Sequence, residues 1–330
     1  MHVKIEKLSK SFKIFKRNPG LKSAIKSFIK RDFFMFDALK NINLEIPSGE
    51  ILGILGENGA GKTTLIKLIV GLLHPTSGTI LVDKYTPWER DYSYLEKVSV
   101  VMGQKNQLWW DIPASESFLL NKHIYNIEEN KYDKILNELV DLLDVRDKID
   151  IQVRRLSLGE RMKMEIIASL LHSPSIVLLD EPTLGLDVIS QSKIREFVKY
   201  HNEQYKTTFV ITSHYTKDIQ EMCERVFVLN KGEQIYDGDF KELINNINPS
   251  RKLVYVLPEN YNKKLIEDLS NSFQFELNEN IITAELSESI LQDLLSKLLN
   301  IIPPLSFLFE DLPVEETMKS FFENPNKYIK

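Results

Sequence analysis

The chain has 330 residues, 43% hydrophobic, 27% charged and 10% aromatic, with 13 Gly and 13 Pro. That is the make-up of an ordinary globular protein of about two domains, and it excludes disordered and collagen-like classes. No run approaches the roughly 18 to 20 apolar residues of a membrane-spanning helix, the start MHVKIEKLSKSF lacks the apolar stretch of a secretory signal, and the single cysteine, Cys223, fits a reducing cytoplasm. The formal charge of −5 hides an asymmetry, because residues 1–40 carry eleven Lys/Arg against Glu6, Asp32 and Asp37. A basic head on an acidic body suggests one face that meets an anionic partner.

From Val3, VKIEKLSKSFKIF alternates in part and predicts a strand. LKSAIKSFIKR predicts a helix with Leu21, Ile25, Phe28 and Ile29 on one side and Lys22, Lys26 and Lys30 on the other. ALKNINLEI predicts a second strand, and after Pro47-Ser48-Gly49 the apolar run ILGIL predicts a third that leads into a glycine-rich loop. KTTLIKLIVGLL then has a period near 3.6 and is stopped by Gly71 and His74-Pro75. Strands TILVD and VSVVMGQ flank a polar turn region around Pro87. Residues 113–150 read as mostly helical, with Tyr132, Ile135, Leu136, Leu139, Leu142 and Leu143 at helical spacing, and a helix is predicted from about Gly159 to His172. SIVLLD is almost wholly apolar, as a parallel strand buried on both faces should be. Helix, strand TTFVITS, helix and strand RVFVLNKGEQIYDG follow, an α/β alternation that calls for a mainly parallel sheet.

Near residue 247 the polar stretch INNINPSRK reads as a linker between a domain over 1–246 and a small α+β domain over 247–330 of ferredoxin-like element order. Within the first domain, a basic insertion is expected at about 13–36 and a helical subdomain at about 105–165. The second domain carries no catalytic constellation.

Gly56-Glu57-Asn58-Gly59-Ala60-Gly61-Lys62-Thr63 fits G-x-x-x-x-G-K-[ST] between a strand and a helix, and Thr64 continues it. Such a loop turns successive amides toward a phosphate chain at a helix N-terminus, with Lys62 reaching the β- and γ-phosphates and the Thr63 hydroxyl on Mg²⁺. Ile176-Val177-Leu178-Leu179-Asp180-Glu181 is an apolar strand ending in two carboxylates. Opposite a phosphate loop, Asp180 would serve Mg²⁺ and Glu181 the attacking water.

The order of phosphate loop, Gln104 after a strand, Leu156-Ser157-Leu158-Gly159-Glu160, LLDEP, Leu184-Gly185-Leu186-Asp187 and a strand ending in Ser213-His214 resembles the nucleotide-binding domain of ATP-binding cassette (ABC) transporters over roughly residues 3–240. The resemblance implies a P-loop NTPase cassette with a mainly parallel core, an antiparallel β portion and a helical subdomain, which binds ATP and Mg²⁺ and hydrolyses ATP. It further implies that Ser157 and Gly159 face ATP held by the opposite protomer of a dimer, most simply a homodimer. Gln104 would contact Mg²⁺ or the water, Asp187 would bridge the dimer interface, and His214 would contact the γ-phosphate. Leu158 and Glu160 depart from the family's Leu-Ser-Gly-Gly-Gln, and Glu160 should point away from phosphate or pair with Arg161 or Lys163. An adenine-stacking aromatic is expected at Phe12, with Phe36 in reserve.

Two features stay open on sequence alone. Trp109-Trp110 reads either as core filling for the helical subdomain or as an apolar anchor for a partner. The eight Lys/Arg of residues 10–31 read either as a solvated loop or as a contact with anionic lipid headgroups or an acidic permease loop. The resemblance implies a peripheral protein at the cytoplasmic face of the membrane, serving ABC-2-type permease subunits in drug or polysaccharide export. Soluble ABC proteins acting on nucleic acid or ribosomes are the rival class, but two cassettes, cysteine pairs and long heptads are lacking, so no nucleic-acid partner is expected. A small-molecule kinase would explain the phosphate loop but not LSLGE, Gln104 or His214.

Overall fold

The computed structural model describes residues 1–15, 33–103, 107–247, 250–311, 314–323 and 325. The predicted helix LKSAIKSFIKR and the predicted site residue Gln104 lie outside the described residues. The chain divides into two compact units, Met1–Phe240 and Lys241–Lys330.

In the first unit β1 (Val3–Phe15) pairs antiparallel with β2 (Phe33–Ile46), from Val3 opposite Ile46 to Phe15 opposite Phe33. The pairing carries both strands into the stretch read as an insertion, so residues 13–15 and 33–36 belong to this ribbon. After β2 come β3 (Ile51–Leu55) and α1 (Lys62–Ile69). The apolar run extends to Leu73, yet α1 ends early. Gly71 sits at φ +75°, where a Cβ would stand 2.1 Å from the Pro87 carbonyl oxygen. β4 (Ser77–Val82) pairs with the other edge of β1.

Next are α2 (Tyr92–Leu95), β5 (Val98–Met102), α3 (Ala114–Ile124) and α4 (Glu129–Leu142), the last two separated where Asn126 takes a left-handed φ of 49°. Then α5 (Leu158–Leu170), β6 (Ile176–Asp180), α6 (Val188–Tyr205), β7 (Thr208–Ser213) and α7 (Thr216–Met222) follow. RVFVLNKGEQIYDG, read as one strand, is two: β8 (Arg225–Asn230) and β9 (Glu233–Asp239) form an antiparallel hairpin. Its two-residue turn, Lys231-Gly232, has φ of 49° and 82°, the double left-handed geometry that matches strand twist in tight hairpins.

The main sheet runs β5-β6-β7-β3-β8-β9, parallel up to β8. All of β6 and β7 is buried. Leu52 and Ile54 of β3, Ile176 and Leu178 of β6 and Val210 of β7 share one core cluster with Leu65, Ile66 and Ile69 of α1. Each such side chain contributes about 1.5–3 kcal/mol when removed from water. This core fixes the carboxyl ends of β3, β5, β6 and β7 side by side.

The second unit opens with α8 (Phe240–Ile247), whose first residue is the last of the first unit, and contains β10 (Ser250–Val256), α9 (Lys263–Ser270), β11 (Glu276–Asn278), β12 (Ile281–Ser287), α10 (Glu288–Ile301), β13 (Ser306–Asp311) and α11 (Val314–Glu323). Its antiparallel sheet has the order β11-β12-β10-β13. Leu253, Tyr255, Ile282 and Ala284 point from one sheet face onto Ile266 of α9 and Leu291, Leu294 and Leu298 of α10. With a strand–helix–strand–strand–helix–strand order, this is a ferredoxin-like arrangement.

Candidate functional site

A cleft of about 490 Å³ opens where β3, β5, β6 and β7 end. In open α/β sheets this carboxyl edge is where ligands bind. Glu57 to Gly61, Lys62, Thr63 and Thr64 line one side, and Asp180, Glu181 and His214 line another. Gly56 stands behind the wall, where a Cβ would meet the Leu229 carbonyl oxygen at 2.5 Å. Gly61, at φ +113°, comes so close to β2 that a Cβ would lie 2.7 Å from the Ala38 carbonyl oxygen. Side chains here would open the loop.

The Lys62 ammonium donates to the carbonyl oxygens of Gly56 at 2.6 Å and Glu57 at 3.4 Å. It also lies 3.5 Å from Glu181 Oε1. Burial pulls its pKa below the ordinary lysine range, and the Glu181 and Asp180 carboxylates oppose that shift. The Thr63 hydroxyl donates to Asp180 Oδ2 at 2.8 Å, while Thr212 donates to Asp180 Oδ1 at 2.6 Å. A hydroxyl and a carboxylate held together beside a phosphate-type loop form the hard-oxygen donor set that Mg²⁺ takes, so the residues fit that ion. Glu181 holds a left-handed φ of 54°, and its amide donates to the carbonyl oxygen and hydroxyl of Thr212 at 3.1 and 3.0 Å. Non-glycine residues in this region are often held so by the surrounding structure at functional sites. Its Oε1 is 3.4 Å from His214 Nδ1.

Sequence reasoning missed Thr212, which no motif marks, and Met102 and Gly103, which line the cleft at the end of β5. Of the two rings expected for adenine, the cleft reaches the reserve: Phe36 and Ala38 of β2 line it, and Phe12, the cross-strand partner of Phe36, does not. The sequence places both rings near the loop, but only pairing of the two strands shows which of them the cleft reaches.

The ABC transporter family matches residues 39–184. The ABC transporter ATP-binding protein NatA of Bacillus subtilis (strain 168) is 32% identical over 233 residues, covering 71% of this chain and 92% of NatA. The chain belongs to the ATP-binding proteins of ABC transporters. The methionine import ATP-binding protein MetN of Protochlamydia amoebophila (strain UWE25) is 32% identical over 209 residues, 62% of this chain and 61% of MetN. Among solved structures, the dimeric ATP-binding cassette MJ0796 in a post-hydrolysis state bound to ADP and Pi superposes with a TM-score of 0.59 at 26% identity, covering 72% of this chain and 98% of that one. An ATP-binding cleft is therefore the expected use of this sheet edge, and Mg²⁺ is the ion its donors suit.

Ser157, Gly159 and Asp187 gather elsewhere in the cassette and none of them lines the cleft. Ser157 caps α5, accepting from the Glu160 amide at 3.2 Å, and Glu160 Oε2 in turn accepts from the Ser157 amide at 2.8 Å. Glu160 thus pairs with its own cap, and its Oε1 lies 3.8 Å from Lys148, rather than with Arg161 or Lys163. The geometry explains why the glutamate is tolerated: the helix start binds its charge. Gly159 abuts α6, where a Cβ would sit 2.3 Å from Ser190 Oγ and 3.3 Å from Asp187 Oδ2. Asp187 caps α6 through the Ser190 amide and hydroxyl, and these hydrogen bonds hold its carboxyl below the usual range. Leu158 fills its departure position by approaching Gly185.

Trp109 is 61% exposed and Trp110 43%, so neither fills a core. Leu108 is the buried member of the segment, and the Arg161 guanidinium sits 5.1 Å above the Trp110 ring.

Proposed function

We propose that this chain hydrolyses ATP with Mg²⁺ and drives export through separate ABC-2-type permease subunits, as a homodimer at the cytoplasmic face of the membrane. The observation that carries hydrolysis is the Glu181 carboxylate, positioned between Lys62 Nζ at 3.5 Å and His214 Nδ1 at 3.4 Å at the phosphate loop. In this reading Lys62 and the amides of the Gly56–Gly61 loop bind the β- and γ-phosphates. Glu181 accepts the proton of a water whose oxygen bonds to the γ-phosphorus as the bond to the bridging oxygen breaks, giving ADP and phosphate. His214 and Lys62 stabilise charge on the γ-phosphoryl oxygens. Thr63 and Asp180 would hold Mg²⁺, which would supply charge neutralisation for the phosphates, and the family resemblance assigns Gln104 a role toward that ion or the water.

Ser157 and Gly159 of the second protomer meet the γ-phosphate, and Asp187 lies at the same interface. Both protomers then share each nucleotide, and ATP closes the dimer by binding the closed state more tightly. No described helix is long and apolar enough to cross a membrane, so the membrane-spanning parts are assigned to partner chains. Support for export is the second unit, an open antiparallel sheet rather than the barrel-like β module expected of an importer. Co-purification with a six-helix permease whose substrate stimulates ATP hydrolysis tests this reading. Substrate uptake instead of efflux in vesicles reverses the direction, and permease-independent binding to ribosomes or DNA overturns it.

Two further outcomes belong to this reading. Phe36→Ala should weaken Mg–ATP binding about tenfold, since an aromatic stacking contact is worth about 1 kcal/mol or more, whereas Phe12→Ala should change it less than threefold. Titration of both variants with a fluorescent ATP analogue checks the pair. Replacing Trp109 and Trp110 together by Ala should leave ATP binding and the melting temperature near wild type but abolish permease-stimulated turnover, because exposed tryptophans that form a partner anchor carry binding rather than folding energy. A large loss of melting temperature would return them to the core. Of the eight Lys/Arg of residues 10–31, the described ribbon carries Lys10 and Lys13, placed over the Phe12 and Phe33 rings at 5.0 and 4.3 Å, and in this reading the basic stretch meets anionic headgroups.

A further inference from the structure

Helix α5 starts at the Ser157 cap and is buried along most of its length, yet it carries a carboxylate at Glu165, 4% exposed, between Met164 and Ile166, both almost fully buried. An ionised carboxylate in such a setting is costly unless its lone pairs are met. They are met by backbone amides of one segment: Gln107 donates to Oε1 at 3.0 Å and to Oε2 at 3.2 Å, and Leu108 donates to Oε1 at 3.4 Å. These are the amides third and fourth after Gln104. Burial raises the Glu165 pKa and the two amides oppose that shift.

The same segment is tied on both sides. The Gln107 side chain donates to the Val100 carbonyl oxygen in β5, the Trp109 amide donates to Ser117 Oγ of α3 at 3.3 Å, and the Arg154 amide donates to the Trp110 carbonyl oxygen at 3.0 Å. The Glu165 carboxylate makes the hydrogen bonds that connect it to the helix that begins at Ser157, and Arg161 of that helix adds the contact over the Trp110 ring. Eight residues separate Ser157 from Glu165, about 12 Å along one rigid helix.

We propose that Glu165 is a positioning residue that clasps the described segment from Gln107, which follows Gln104 in sequence, to α5, so that this segment and the Ser157 end of the helix move as one body. The proposal rests on the ATPase reading above. Both amides reach Oε1, and the Gln107 amide also reaches Oε2. Glutamine with its oxygen at Oε1 keeps an acceptor for both, but it sets an NH₂ against the Gln107 amide where Oε2 stood and loses the charge that strengthens each bond, so Glu165→Gln keeps shape and weakens the clasp.

The experiment uses the full chain and Mg–ATP. Glu165→Gln is expected to hold the Mg–ATP dissociation constant within twofold of wild type, because no atom of it touches the cleft, while lowering kcat about tenfold. Hydrogen exchange should report the cause. In wild type, peptides covering residues 107–111 and 156–161 should gain protection at the same ATP concentration, and in Glu165→Gln the second should require about tenfold more ATP than the first. Unchanged kcat with protection still rising together would overturn the proposal. If the variant does not fold, wild type still decides: amides 107 and 108 must exchange as slowly as those of α5 with and without Mg–ATP, and exchange a hundredfold faster would overturn it. Wild-type protein that neither binds nor hydrolyses ATP would refute the ATPase reading instead, which the wild-type arm detects separately.

Discussion

Glu181→Gln should reduce ATP turnover at saturation by about 10²–10⁴-fold, the range that a general base supplies, while Mg–ATP still binds. The substitution preserves volume and one acceptor oxygen but removes the proton acceptor. It also removes a negative charge 3.5 Å from the Lys62 ammonium and beside the anionic γ-phosphate. Lys62 keeps its hydrogen bonds to the Gly56 and Glu57 carbonyl oxygens, so the phosphate cradle survives, and loss of the like charge favours nucleotide. The variant should therefore bind ATP at least as tightly as wild type and accumulate as a closed dimer on size exclusion with Mg–ATP. Phosphate release measured beside nucleotide titration separates the two effects. Turnover within threefold of wild type would remove Glu181 from the role of base and leave His214 as the next candidate.

Much of the cleft is legible in the chain because each of its parts is local. A glycine-rich loop between a strand and a helix needs only neighbouring residues to cradle phosphate, and a strand such as IVLLD must be buried on both faces to be that apolar, which delivers Asp180 to a sheet edge. What the sequence hides depends on pairing between distant segments. The chain order favours Phe12 and keeps Phe36 in reserve, and only the antiparallel register places Phe36 and Ala38 against the loop. Thr212 belongs to an apolar run and reads as filler, yet its hydroxyl donates to Asp180 and its carbonyl and hydroxyl oxygens hold the Glu181 amide. Glu160 reads as a charge in the wrong place until the reciprocal bonds with Ser157 show it completing a helix start. The hairpin of β8 and β9 was hidden because Lys231 is not a typical left-handed residue, and only Gly232 marks the turn.

Arg195→Leu should destabilise the first unit by about 3–5 kcal/mol, the cost of stranding one member of a buried ion pair. Arg195 Nη1 donates to Asp218 Oδ1 at 2.9 Å, with the two side chains 6% and 3% exposed. The other oxygen of Asp218 accepts from the hydroxyls of Thr183 and Ser213. Thr183 lies two residues after Glu181 and Ser213 immediately precedes His214, so one carboxylate ties together the two loops that carry these groups. With Arg195 replaced, Asp218 keeps its hydroxyl donors but loses its counter-ion, and Glu221, whose Oε2 lies 2.6 Å from Arg195 Nε, turns to solvent. For a domain of this size the melting temperature should fall by roughly 10 °C, at about 2–4 °C per kcal/mol. Adding Asp218→Leu removes the stranded charge, so the double variant should be more stable than Arg195→Leu alone, and the cycle should give a coupling of 1 kcal/mol or more. Turnover should nevertheless be lower in the double variant than in Arg195→Leu, because only there do Thr183 and Ser213 lose their common acceptor and Glu181 and His214 their fixed separation. Additive effects in the cycle would show that the pair is not a unit. Stability regained with turnover no lower than in Arg195→Leu would show that burial of charge, and not alignment of the two loops, is all that Asp218 contributes.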